Sequence, residues 1–207
     1  MHPFDIKTAG HEPAAGRKVL ILLHGRGGSA EDIISLAGYF DVPDFAILAP
    51  QAANNTWYPY SFLAPPAQNE PWLSSALQVV NQVVLQLHAK DIPAEDIYFA
   101  GFSQGACLTL EFVARNAARY GGVVAFTGGL VGDQLYPENY AGDFGGTPIF
   151  IGTSNPDPHV PLERVQASAQ LLESMKAAVM VKVYPGMGHT ISQDEVDEAN
   201  RLVFVDA

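Results

Sequence analysis

The chain has 207 residues, 48% of them hydrophobic and 16% charged; that composition excludes an intrinsically disordered chain, and the length suffices to bury about 70% of the surface the unfolded form exposes. Eleven Lys and Arg stand against 22 Asp and Glu, a formal net charge of −11, so nucleic acid and anionic membrane surfaces are repelled rather than sought. No apolar run approaches the roughly 20 residues of a membrane-spanning helix. Cys107 is the only cysteine, which excludes an internal disulfide framework and a cysteine-built zinc site. The opening Met1-His2-Pro3-Phe4-Asp5 carries neither the basic nor the apolar region of a signal peptide, and the expected location is the cytoplasm.

The amino-terminal arm, with His2 and His11, reads as polar. Val19 to Leu23 is the first continuous apolar run bounded by turn residues, as a strand buried on both faces requires. The turn His24-Gly25-Arg26-Gly27-Gly28 then leads into a helical pattern over Ala30 to Tyr39, and a second strand follows at Phe45 to Ala49. The stretch Pro50 to Pro71 is irregular and carries Trp57, Tyr58, Tyr60, Phe62 and Leu63. A loop of that length in a compact domain is functional or disordered, and its aromatic content speaks against disorder. Trp72 to Ala89 is helical, with Leu73, Leu77, Val80, Val84 and Leu87 on one face and Gln78, Asn81, Gln82 and Gln86 on the other. Strand runs at Ile97 to Ala100, Val123 to Phe126, Ile149 to Ile151 and Val179 to Tyr184 alternate with helical patterns at Gly105 to Tyr120, Leu162 to Lys176 and Ser192 to Val205. This alternation predicts an α/β fold, a mostly parallel central sheet with helices on both faces, forming one domain over 1–207. Functional residues are then expected on loops outside the carboxyl ends of the strands.

Gly101-Phe102-Ser103-Gln104-Gly105 lies between a strand run and a helical pattern, the context a G-x-S-x-G nucleophile turn needs. Glycine at Gly101 and Gly105 gives room to a sharp turn that projects the Ser103 hydroxyl, whereas a serine that merely capped a helix would explain neither glycine. A serine needs a base, and the base an orienting acid. His189, in the glycine-rich Tyr184-Pro185-Gly186-Met187-Gly188-His189 after the last strand run, is the expected base. Asp157, held between Pro156 and Pro158 after the run Ile149 to Ile151, is the expected acid, with Asp133 and Asp143 as competitors. His159, two residues from Asp157, is expected at the rim, and Cys107 as a small buried hydrophobe rather than a second nucleophile.

The oxyanion of acyl transfer calls for preorganised backbone donors. The N–H of Gln104, at a helix start, is one; the N–H of Arg26, in the turn after Val19 to Leu23, is the other. A phosphate cradle at that turn lacks both the Walker A lysine and the G-x-G-x-x-G spacing. The Arg26 side chain is open between a surface salt bridge and attraction of an acidic substrate. The segment Trp57 to Leu63 is expected to wall an acyl or aryl pocket, with Trp57, Tyr58 and Phe62 in contact with substrate; mere cover of the sheet is the alternative.

Leu22-Leu23-His24-Gly25-Arg26-Gly27, Gly101-Phe102-Ser103-Gln104-Gly105, Asp157-Pro158-His159-Val160-Pro161 and Tyr184-Pro185-Gly186-Met187-Gly188-His189 together resemble the phospholipase/carboxylesterase group of α/β-hydrolases, which includes acyl-protein thioesterases and small bacterial carboxylesterases. The resemblance implies an α/β-hydrolase fold, a Ser103, Asp157 and His189 triad, oxyanion donors at Arg26 and Gln104, and an acyl-pocket tryptophan at Trp57. This chain departs from the family's pattern at Gly28, at Tyr58-Pro59 and at Ser154-Asn155-Pro156. The first two departures fall around the acyl side of the pocket and leave the triad intact. The expected activity is that of a serine carboxylesterase acting through an acyl-enzyme on small to medium carboxylic esters, with thioesters and phospholipid esters as further candidates. No cofactor and no metal are expected. The partner is a small-molecule ester, and a homodimer is compatible with the sequence. The competing readings are a non-catalytic ligand-binding protein on the same fold and a dienelactone-hydrolase-like enzyme, which would favour a different nucleophile from Ser103.

Overall fold

Each of the six apolar runs forms a strand, and a seventh strand joins them from the arm that reads as polar. The computed structural model describes residues 1–205, so the last two residues of the expected domain lie outside the described residues. The strands are β1 (Ile6–Gly10), β2 (Val19–Leu23), β3 (Ala46–Pro50), β4 (Ile97–Phe102), β5 (Gly122–Phe126), β6 (Pro148–Asn155) and β7 (Ala178–Pro185). They make one seven-stranded sheet in the order β1-β3-β2-β4-β5-β6-β7. Only β1 runs antiparallel to its neighbour, β3; every other pair is parallel.

The helices are α1 (Ala30–Ile34), α2 (Pro66–Asn69), α3 (Trp72–His88), α4 (Gln104–Arg115), α5 (Leu162–Ser174) and α6 (Gln193–Leu202). Strand side chains alternate between faces. Val19, Ile21 and Leu23 of β2 join the layer beneath α3, α4 and α5, while Leu20 and Leu22 join the layer beneath α1 and α6. A sheet buried on both faces is why β2 to β6 read as unbroken apolar runs. In α3 the expected face is buried through Leu73, Val80, Val84 and Leu87, with Leu77 partly buried at its edge.

The structure corrects two helix ends and the reading of the amino-terminal arm. Ala30 to Tyr39 is not one helix: α1 ends after Ile34 and tightens into a 3₁₀ turn over Ser35–Tyr39, where the Ser35 hydroxyl donates to the Asp32 carbonyl at 2.6 Å and Gly38 weakens continuation. The helix expected to reach Tyr120 stops at Arg115, because the Asn116 side chain donates to the Phe112 carbonyl at 2.9 Å and its backbone leaves the helical region. The amino-terminal arm is no free polar arm. Its β1 closes one sheet edge, and His2 is buried, its ring against Trp57 and Trp72.

Candidate active site

Ser103 stands between β4 and α4 with φ 54° and ψ −118°, a left-handed backbone that non-glycine residues adopt only where the surroundings impose it. Its N–H donates to the Phe126 carbonyl at 2.9 Å. A Cβ on Gly101 would lie 2.5 Å from the Gly105 carbonyl oxygen, and one on Gly105 would overlap the Leu23 carbonyl. Both flanking positions therefore require glycine, and the turn is tight enough to present the serine hydroxyl. That hydroxyl makes no capping bond to α4.

It bonds His189 instead. Ser103 Oγ lies 2.7 Å from His189 Nε2, and His189 Nδ1 lies 2.8 Å from Asp157 Oδ2. Asp157, whose side chain is fully buried, accepts the backbone N–H groups of His159 and Val160 at its other oxygen, each at 2.8 Å. Burial alone would push this carboxyl up; the N–H of His159, the His189 ring and the N–H of Val160 together outweigh it and hold the carboxyl below its ordinary range. An ionised Asp157 fixes the neutral imidazole with its proton on Nδ1, leaving Nε2 to accept from the serine hydroxyl. The loop carrying His189 is tied to the end of β6: Gly186 N–H donates to the Asn155 carbonyl and Gly188 N–H to Ser154 Oγ, at 3.0 and 2.9 Å. Gly186 and Gly188 have φ of 67° and 83°, which lets the chain fold the imidazole back over Ser103.

The competitors lie elsewhere. Asp133 accepts from the Tyr136 hydroxyl, and Asp143 pairs with Lys176 on the surface. His11 faces Asp44, and His88 bonds the Ile92 carbonyl. His24 and His2 are buried and committed to backbone: His24 Nε2 accepts the Ala52 N–H, and His2 Nδ1 accepts the Ala53 N–H while Nε2 meets the Trp57 carbonyl. Burial lowers both pKa values, as such neutral roles require.

A cavity of about 670 Å³ opens beside Ser103, and Gln104, Tyr58, Phe62 and His159 are on its wall. Among the expected site residues, Arg26 and Gln104 also meet Ser103 there. Gln104 opens α4, so its N–H has no acceptor within the helix. The Arg26 N–H makes no hydrogen bond among the described residues. Trp57 is the exception. It does not line the cavity; it is fully buried, donates Nε1–H to the His24 carbonyl at 2.9 Å, and packs between the rings of His2 and His24. Its indole donor anchors it beneath the loop, and Tyr58 and Phe62 are the aromatic residues of this segment expected in the site that line the cavity. Cys107 reaches the same cavity from inside α4, its thiol pushed up to about 12 by burial and thus uncharged.

Sequence reasoning missed the side chains that shape this wall. Gln104 accepts the Trp57 N–H at Oε1 and donates Nε2–H to the Tyr58 carbonyl, at 2.9 and 2.8 Å. The Arg26 guanidinium makes no surface salt bridge: it donates to Thr56 Oγ1 and to the carbonyls of Pro59 and Tyr60 at 2.9, 3.0 and 2.7 Å. Gln104 was read for its main chain alone and the Arg26 side chain was left open, because the irregular loop gave no pattern that would reveal what fastens it.

A sequence profile of the phospholipase/carboxylesterase family matches residues 8–204. The chain belongs to the phospholipase/carboxylesterase family. A probable carboxylesterase of Oryza sativa subsp. japonica is 29% identical over 202 residues, covering 88% of this chain and 75% of the relative. An acyl-protein thioesterase 1 of Kluyveromyces lactis is 27% identical and covers 95% of each. The crystal structure of a phospholipase/carboxylesterase from Dyadobacter fermentans superposes with a TM-score of 0.96 at 57% identity, covering 98% of this chain and 97% of the other. This member of the phospholipase/carboxylesterase family is an α/β-hydrolase that hydrolyses carboxylic esters, and its partner is a small-molecule substrate. Among the described residues no helix is long and apolar enough to cross a membrane.

Proposed function

We propose that ester hydrolysis proceeds through an acyl-enzyme on Ser103, with His189 as general base and acid and Asp157 as its orienting carboxylate. The observation that carries this reading is the unbroken chain from Ser103 Oγ to His189 to the buried Asp157, at 2.7 and 2.8 Å, opening on a cavity. Oγ attacks the ester carbonyl while His189 Nε2 takes its proton; Asp157 stabilises the imidazolium without taking the proton itself. The oxyanion is held by the N–H groups of Arg26 and Gln104, the latter at the positive end of α4. His189 then protonates the leaving alkoxide, and water repeats the sequence on the acyl-enzyme. Tyr58 and Phe62 contact the substrate's apolar part.

Small to medium carboxylic esters suit a cavity of about 670 Å³. The whole chain serves as one catalytic domain, working in the cytoplasm, and the chemistry requires no metal. The test is hydrolysis of a p-nitrophenyl ester series by the native chain and Ser103→Ala: kcat/KM should fall by about 10⁴ or more. Undiminished turnover in the variant would refute the assignment.

A further inference from the structure

In a chain with 22 acidic and 11 basic residues, the cavity beside Ser103 has no Asp or Glu on its wall, although Arg26, His159 and His189 are there. The Asp157 carboxylate behind His189 is inaccessible, with its oxygens already bonded. Lys7, Arg115, Lys176, Lys182 and Arg201 are each paired with carboxylates. Arg26, like Arg119 and Arg164, bonds only uncharged oxygens, here Thr56 Oγ1 and the carbonyls of Pro59 and Tyr60, but of these three arginines it alone is on the cavity wall. These bonds fix the guanidinium at the wall, leave its charge uncompensated by any carboxylate among the described residues, and leave the rest of its five donors uncommitted.

His159 is the second basic group. It is exposed on the same wall, its ring 5.0 Å from that of His189 and inclined at 78° to it. Its main chain is pinned by Asp157, while its ring makes no hydrogen bond among the described residues. An imidazole placed this way offers an N–H to whatever occupies the cavity.

We infer that the substrate is an ester carrying a second, anionic group, a carboxylate, which Arg26 and His159 recognise. The inference rests on the serine-esterase reading and adds the substrate class to it. The acidic molecule as a whole repels anions, so the selection is local: charge-assisted hydrogen bonds from a fixed fork and an imidazole are short, directional and lost with a neutral isostere.

Two pairs of esters test this. Monomethyl adipate against the methyl ester of adipamic acid places the charge on the acyl side; 4-carboxyphenyl butanoate against 4-carbamoylphenyl butanoate places it in the leaving group. With each kcat/KM divided by the hydroxide-catalysed rate, at least one pair should favour the carboxylate by roughly tenfold or more. That preference should shrink in about 0.5 M salt and fall toward one in His159→Gln and in Arg26→Gln. Arg26 also holds the loop, so the ratio, and not the absolute rate, is the readout. A ratio near one in both pairs, with Ser103-dependent hydrolysis of the neutral esters intact, overturns the inference and leaves the esterase reading standing. A preference unchanged in both variants overturns the assignment to these side chains, and hydrolysis of all four esters that survives Ser103→Ala overturns both readings.

Discussion

Asp157 is both buried and fully bonded: three donors converge on its two oxygens, so in the proposed mechanism its negative charge is held in place beside the imidazolium. Asp157→Asn keeps the shape but offers the imidazole a donor, which favours the wrong tautomer. The expected outcome is a kcat lower by about 10⁴ with an unchanged circular dichroism spectrum, whereas Asp133→Asn and Asp143→Asn should leave kcat within about twofold of native, since both residues serve surface contacts. The reverse ranking in a kinetic comparison would show that another acid orients the base. At this scale much was legible, because Gly101, Gly105, Gly186 and Gly188 mark the places where the backbone must turn sharply, and only a few residues fit around such turns. The side chains of Gln104 and Arg26 were not legible: a polar residue beside a loop has many partners in reach, and its choice depends on the folded path of that loop.

The long loop between β3 and α3 shows what a segment without periodicity conceals. Trp57 and Phe62 lie five positions apart and look alike as aromatic residues, yet Trp57 anchors the loop from below and Phe62 faces the cavity. Trp57→Ala should destabilise the fold by about 3–5 kcal/mol, seen in urea unfolding, and should scale kcat/KM alike for short and long acyl chains. Phe62→Ala should instead change the ranking over acyl length, since the contact it removes grows with the chain it touches. An altered ranking in Trp57→Ala alone would return that residue to the wall. Strands buried on both faces were readable as apolar runs. Edge strand β1, partly buried and with few apolar residues, gave no such signal, and Tyr120 fell outside its expected helix because a single asparagine bond ended α4 early.

For the molecule as a whole, stability depends on pH through groups the chemistry does not use. Burial holds His2 and His24 below the ordinary 6.5, so the unfolded chain binds protons that the folded chain resists. The stability they support is complete above pH 6.5 and is lost as the pH falls from there through their folded values. The urea midpoint should therefore drop between pH 7.5 and 5.5, and more shallowly in His2→Gln; equal slopes would show that His2 is not responsible. Activity should survive exhaustive chelation, since in the proposed mechanism a side-chain base activates the nucleophile and backbone dipoles hold the oxyanion; loss restored by a divalent ion would contradict that. The most direct test of the central claim is the intact mass of the chain after treatment with a fluorophosphonate ester, followed by peptide mapping. A single adduct on Ser103, formed rapidly in the native chain and orders of magnitude more slowly in His189→Ala, is the predicted result. An active sample that loses turnover while Ser103 remains unmodified, or labelling of Ser103 at the same rate without His189, would contradict it.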